Sequence, residues 1–94
     1  MFEIKLEGNK EVRLRGRFDA SQVEKATNAL NQINESHTIN FKELEYISSA
    51  GLGVLLATQK RLSEKGHKLK LIQMNNHIRD VFKWAGFDLV FEIE

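Results

Sequence analysis

Tyr46-Ile47-Ser48-Ser49-Ala50-Gly51-Leu52-Gly53-Val54-Leu55-Leu56 is the stretch whose reading decides the fold. A polar loop, Lys42-Glu43, with apolar anchors at Leu44 and Ile47, leads into a pair of serines, and an apolar helix follows. Serine is a preferred helix N-cap because its oxygen accepts a hydrogen bond from an orphan amide, worth about 1 kcal/mol. Capping explains one serine, not two. With Ser48 as the cap, Ser49 falls in the first turn, its hydroxyl exposed at the positive end of the helix dipole. Leu52, Leu55, Leu56, Gln59 and Leu62 share one side of this helix. Lys60, Arg61 and Lys65 complement its C-terminal end, and Gly66 is its natural stop.

The segments on either side complete an alternating pattern. Upstream, Phe2, Ile4 and Leu6 alternate with Glu3, Lys5 and Glu7, which predicts a half-buried strand. The short turn Gly8-Asn9-Lys10 returns the chain antiparallel into a second strand, Val12 to Phe18, whose Arg13, Arg15 and Arg17 share a solvated face. Ser21-x-x-Glu24 reads as a capping box. Val23, Ala26, Thr27, Leu30 and Ile33 carry a first helix to Asn34-Glu35-Ser36. Thr38-Ile39-Asn40-Phe41 is a short buried strand. Downstream, Leu69, Leu71, Ile72 and Met74 predict a strand. Asn75 or Asn76 caps a third helix with Ile78, Val81, Phe82 and Ala85 inward and Gly86 as its stop. Leu89 to Ile93 is a last strand.

The order ββαβαβαβ predicts an α/β fold: a mixed sheet with an antiparallel first hairpin and right-handed parallel crossovers. With 94 residues the expectation is one domain, 1–94. There is no Cys to supply a disulfide or thiolate site, and no Pro. Lys plus Arg number 14 against 13 Asp plus Glu, a balance that argues against a nucleic-acid partner. The longest apolar run is too short for membrane insertion, and the start of the chain alternates like a strand rather than a signal peptide. A cytoplasmic location is the resulting expectation.

Several chemistries lack their residues. His37, His67 and His77 fall at separate element ends without ligand spacing, so no metal site is expected. The basic stretch Lys60 to Lys70 has no interleaved aromatic for base stacking and reads as a solvated helix end. Gly51-Leu52-Gly53 lacks the third glycine and the Lys-Ser/Thr pair of a phosphate loop. Ile47-Ser48-Ser49-Ala50-Gly51 has the outline of a hydrolase nucleophile elbow but has Ile at the first glycine, and no His or acid is placed to activate the hydroxyl. The chain is therefore read as a binding module and not an enzyme, without a cofactor. Trp84 is either a partner contact or partly buried at a helix edge.

The same residues resemble a known family. Tyr46 to Leu56 is similar to the signature of STAS-domain anti-sigma factor antagonists. Leu14-Arg15-Gly16-Arg17-Phe18-Asp19-Ala20-Ser21 resembles that family's second strand and Gly-x-x-Asp turn, and Val81 to Phe87 resembles its third helix and following loop. The resemblance covers nearly the whole chain and implies the STAS fold. Members usually end in a further helix, which is expected to be absent or reduced here.

The resemblance also implies a function, partner switching. The unmodified antagonist binds an anti-sigma factor that is also a serine kinase, and so frees a sigma factor. Phosphorylation releases it, and a PPM-type serine phosphatase resets it. Ser49 aligns with the phosphorylated serine, Asp19 with the turn aspartate and Gly51 with the signature glycine. The implied partner-binding residues are Asp19, Asn40, Ser48, Ser49, Ala50, Gly51, Leu52 and Gly53. Many members carry Asp where Ser48 and Asn40 stand, which makes Ser48 the alternative phosphosite. Without that final helix an exposed sheet or helix patch near the C-terminus favours self-association, so a homodimer is a further expectation. The alternative function is a STAS scaffold or ligand-binding module in a signalling or lipid-transport complex, without phosphorylation.

Overall fold

A computed structural model describes residues 1–94. Five strands and three helices are present: β1 Phe2–Glu7, β2 Glu11–Phe18, α1 Val23–Leu30, β3 His37–Ile47, α2 Ser49–Ser63, β4 Leu69–Ile72, α3 Asn76–Trp84 and β5 Glu92–Ile93. The strands form one sheet in chain order, β1-β2-β3-β4-β5, with β1–β2 antiparallel and the other three pairings parallel. Asn9 and Lys10 take left-handed φ values of 62° and 58° to close the first hairpin. Every later strand adds on the same side of its predecessor. Right-handed crossovers then put all three helices on one face. Val12, Leu14 and Phe18, Ile39, Leu44 and Ile47, and Leu69 and Leu71 point to that face and pack into one core. Each such full burial contributes about 1.5–3 kcal/mol. The other face is charged and open, with Glu3 near Arg15 at 3.5 Å and Lys70 near Glu94 at 2.8 Å.

The element order agrees with the sequence pattern, but several boundaries differ for physical reasons. The expected short strand and polar loop at 38–47 are one eleven-residue strand, β3. Its register against β2 shifts twice, between Arg13 and Arg15 and between Gly16 and Arg17. Extra residues at such bulges break the two-residue alternation, so a continuous strand reads as strand then loop. Asn40 supports the first bulge: its Oδ1 accepts the Lys42 amide at 2.8 Å and its Nδ2 donates to Glu11 at 3.0 Å.

The Ser21–Glu24 capping box does not form. The Asp19 carboxylate accepts the Ser21 amide at 3.0 Å, and a 3₁₀ turn, Ala20–Gln22, precedes α1. The helix ends at Leu30, and Ile33 reaches the core from the turn beyond it. β4 stops at Ile72, where Gln73 turns left-handed (φ 60°), and Met74 is buried from the loop. The last strand shrinks to two residues because Phe87–Leu89 is a 3₁₀ turn that leaves Leu89 89% exposed. Ala85 is exposed; Phe87 and Phe91 take the inward positions instead, edge-on to Phe82, which also meets Phe41.

Gly16 shows how tightly β1 and β2 are joined. It has φ +86°, and a Cβ there would lie 2.0 Å from the Met1 carbonyl oxygen, the same oxygen that accepts the Arg17 amide at 2.8 Å. Gly16→Ala is expected to lose roughly 1–3 kcal/mol in urea denaturation, from overpacking and backbone strain. Gly8→Ala, where nothing lies within 4 Å, should stay within about 0.5 kcal/mol of the parent.

Candidate functional site

Loops leave the C-terminal ends of β2, β3 and β4, the first two side by side and the third set back at the level of Asn40, and each carries a polar cap. Asp19 caps the 3₁₀ turn after β2, Ser48 caps α2 after β3, and Asn75 caps α3 after β4. In an open α/β sheet this edge is where ligands and partners meet helix N-termini. The first two loops are joined by backbone, the Ser48 amide donating to the Phe18 carbonyl at 2.9 Å; the third touches β3 further back, where Asn75 Nδ2 donates to the Leu44 carbonyl at 3.4 Å.

The two serines divide the work as the capping argument requires. Ser48 is extended (φ −89°, ψ 170°) and half-buried, and its Oγ accepts the Gly51 amide at 3.2 Å. Ser49 opens α2 and is exposed. Gly51 is buried because the helix start presses on β2: a Cβ there would lie 3.0 Å from the Phe18 carbonyl oxygen and 2.9 Å from Ile47 Cγ1. Gly53 is exposed, and a Cβ there would meet nothing within 4 Å, so it leaves open surface one turn beyond Ser49. Asp19 is half-buried beside this junction. Its carboxyl is held below its ordinary value, chiefly by the Ser21 hydroxyl hydrogen bond, with the Ser21 amide and the Arg17 charge assisting. The stability this adds is present above the ordinary carboxylate range and is lost as pH falls through the lowered value.

The edge thus gathers Asp19, Ser48, Ser49, Ala50 and Gly53 at or near the surface. Gly51 and Leu52 belong to the same turn but face inward. Asn40 is not brought to them. It lies seven residues upstream of Ile47, roughly 20 Å along the strand, is only 5% exposed, and has both amide atoms engaged. Glu43 is paired in register with Arg15 on the open sheet face. Arg17 stacks 4.3 Å from the Tyr46 ring, just before the edge. Asn75 and the Gln73–Met74 bend follow Ile72, which pairs with Asn40, so they lie along β3 near Leu44, short of the serine turn. The histidines stay apart: His37 meets the Glu35 carbonyl, His67 meets Ser36, and no cluster of three or more His, Asp or Glu could hold a metal. No helix is long and apolar enough to cross a membrane.

Comparison with known proteins places this geometry. The family model described as "Mlab, STAS domain" matches residues 3–92. The chain belongs to the STAS domain family. Over 55 residues it is 38% identical to BtrV of Bordetella bronchiseptica, whose name carries a provisional assignment as an anti-sigma factor antagonist. That alignment takes in 58% of this STAS domain and 47% of BtrV, about half the length of this curated relative. Among solved structures, SpoIIAA of Bacillus in its phosphorylated form superposes with a TM-score of 0.71 at 20% identity, covering 100% of this chain and 91% of that one. An anti-sigma factor antagonist from Mycobacterium paratuberculosis gives 0.82 at 17% identity, over 99% and 83%. At those identities the likeness establishes the STAS fold, and with it the mixed sheet and antiparallel first hairpin.

Ser48→Ala should lower unfolding stability by about 1 kcal/mol through the lost cap, whereas Ser49→Ala should change it by less than about 0.5 kcal/mol. Gly51→Ala should cost roughly 1–3 kcal/mol by forcing α2 away from Phe18. Urea titrations of the three variants provide the comparison.

Proposed function

We propose that this STAS domain is an anti-sigma factor antagonist that works by partner switching. The unmodified form binds an anti-sigma factor with serine kinase activity and so frees a sigma factor. Phosphorylation of Ser49 releases it, and a PPM-type serine phosphatase restores it. The observation that carries this reading is the exposed Ser49 one residue past the cap, so that the cap does not depend on it. Phosphate there adds roughly −1.5 to −2 charges, and the amide dipoles of α2 accept that charge without unfolding the helix. Within a flat interface, an uncompensated charge of this size costs about 2–5 kcal/mol. At 1.4 kcal/mol per decade the complex weakens roughly thirty-fold to several thousand-fold. The switch then needs no change of fold. The names of BtrV and of the neighbouring structures support the reading.

Ser48 is the weaker phosphosite, since it is half-buried with its Oγ engaged by the Gly51 amide, whereas Ser49 is exposed. A second reading rests on the family description itself, "Mlab, STAS domain". In it, the same edge docks constitutively in a signalling or lipid-transport complex, without phosphorylation.

Incubation with a cognate anti-sigma kinase and ATP, followed by phosphosite mapping, separates the two. Partner switching requires phosphate on Ser49. Ser49→Ala should keep its affinity in the presence of ATP, and Ser49→Asp should bind at least about tenfold more weakly. Equal affinities of the two variants, with no phosphate at either serine, would leave the scaffold reading standing.

A further inference from the structure

We propose that β1 is a self-association edge, at which a second copy of this chain adds its own β1 antiparallel in a register centred on Leu6. The direction of the free backbone groups follows from one hydrogen bond. The Met1 carbonyl accepts the Arg17 amide at 2.8 Å, so residue 1 faces β2. Alternation along an antiparallel strand then turns Glu3, Lys5 and Glu7 toward β2, and the amides and carbonyls of Phe2, Ile4 and Leu6 outward. The Phe2 carbonyl agrees with this, since it is taken at 2.9 Å by Lys25 Nζ from α1. That lysine covers the Phe2 end of the edge. The Ile4 and Leu6 groups lie beyond it. The opposite edge of the sheet, β5, is only two residues long.

Charge selects the occupant and the register. On the open face Lys5 stands across from Arg13 of β2 and takes part in no ion pair, while Glu7 stands across from Glu11, with Arg13 3.9 Å from Glu7 and 3.3 Å from Glu11. Lys5 is thus the charge on β1 that faces a like charge and has no opposite one within its own sheet, which is unfavourable. A second β1 centred on Leu6 sets Lys5 opposite Glu7 of the second copy, and Glu7 opposite its Lys5. Centring on Lys5 would oppose two lysines and is excluded. Centring on Ile4 would need the Phe2 carbonyl that Lys25 already holds. In the Leu6 register the two Leu6 side chains, each 38% exposed, also meet across the two-fold axis.

The test is sedimentation equilibrium of the full chain from roughly 10 μM to 1 mM, the range of weak to moderate association. The parent should pass from monomer to dimer. Leu6→Pro removes an outward amide while leaving the β1–β2 ladder intact, which edge strands tolerate; it should stay monomeric with an unchanged circular dichroism spectrum. Lys5→Glu, at an exposed position, should weaken the dimer roughly tenfold by opposing two carboxylates across each pair. The double variant K5E/E7K should restore it. A parent that stays monomeric throughout, a folded Leu6→Pro that still dimerises, or a double variant no tighter than K5E would each overturn the proposal.

Discussion

The contact between the start of α2 and the end of β2 is the constraint on which the rest of this molecule depends. The Phe18 carbonyl receives the Ser48 amide and lies where any side chain on Gly51 would press. This fixes where the second helix begins relative to the sheet, and so which serine caps and which is left to solvent. It also brings the Asp19 turn against the same helix end. The site is therefore a by-product of close backbone packing. Its polar residues are placed by a glycine and a carbonyl rather than by contacts among themselves.

Much of this is legible in the sequence, for identifiable reasons. The antiparallel hairpin shows itself through strict alternation and a three-residue polar turn. The α2 start is legible because a serine pair before an apolar helical stripe supplies one residue to cap and one to open the first turn. The family signature around Tyr46–Leu56 then supplies a role that physical reading alone does not contain.

What is not legible shares a cause. β3 hides behind its two bulges, since one extra residue reverses the in-out order that marks a strand. Asn40 looks like part of the site because the family places a carboxylate there. Its amide is instead occupied by the bulge that its own strand creates. The C-terminal stretch reads as a longer strand because Leu89 and Val90 are apolar and adjacent, yet a 3₁₀ turn points them outward while Phe87 and Phe91 fill the core. In each case tertiary geometry, not local propensity, chooses the facing.

The chain-order sheet has a consequence for how the molecule comes into being. Each βα unit docks on an edge formed by the unit before it, so a growing chain can assemble the sheet from its N-terminal side as it is synthesised. The loops near residues 19 and 48 lie on the earlier strands. The capped serine and its exposed neighbour are seated on β2 by contacts confined to residues 18–52, and the aromatic cluster around Phe82 closes the core behind them.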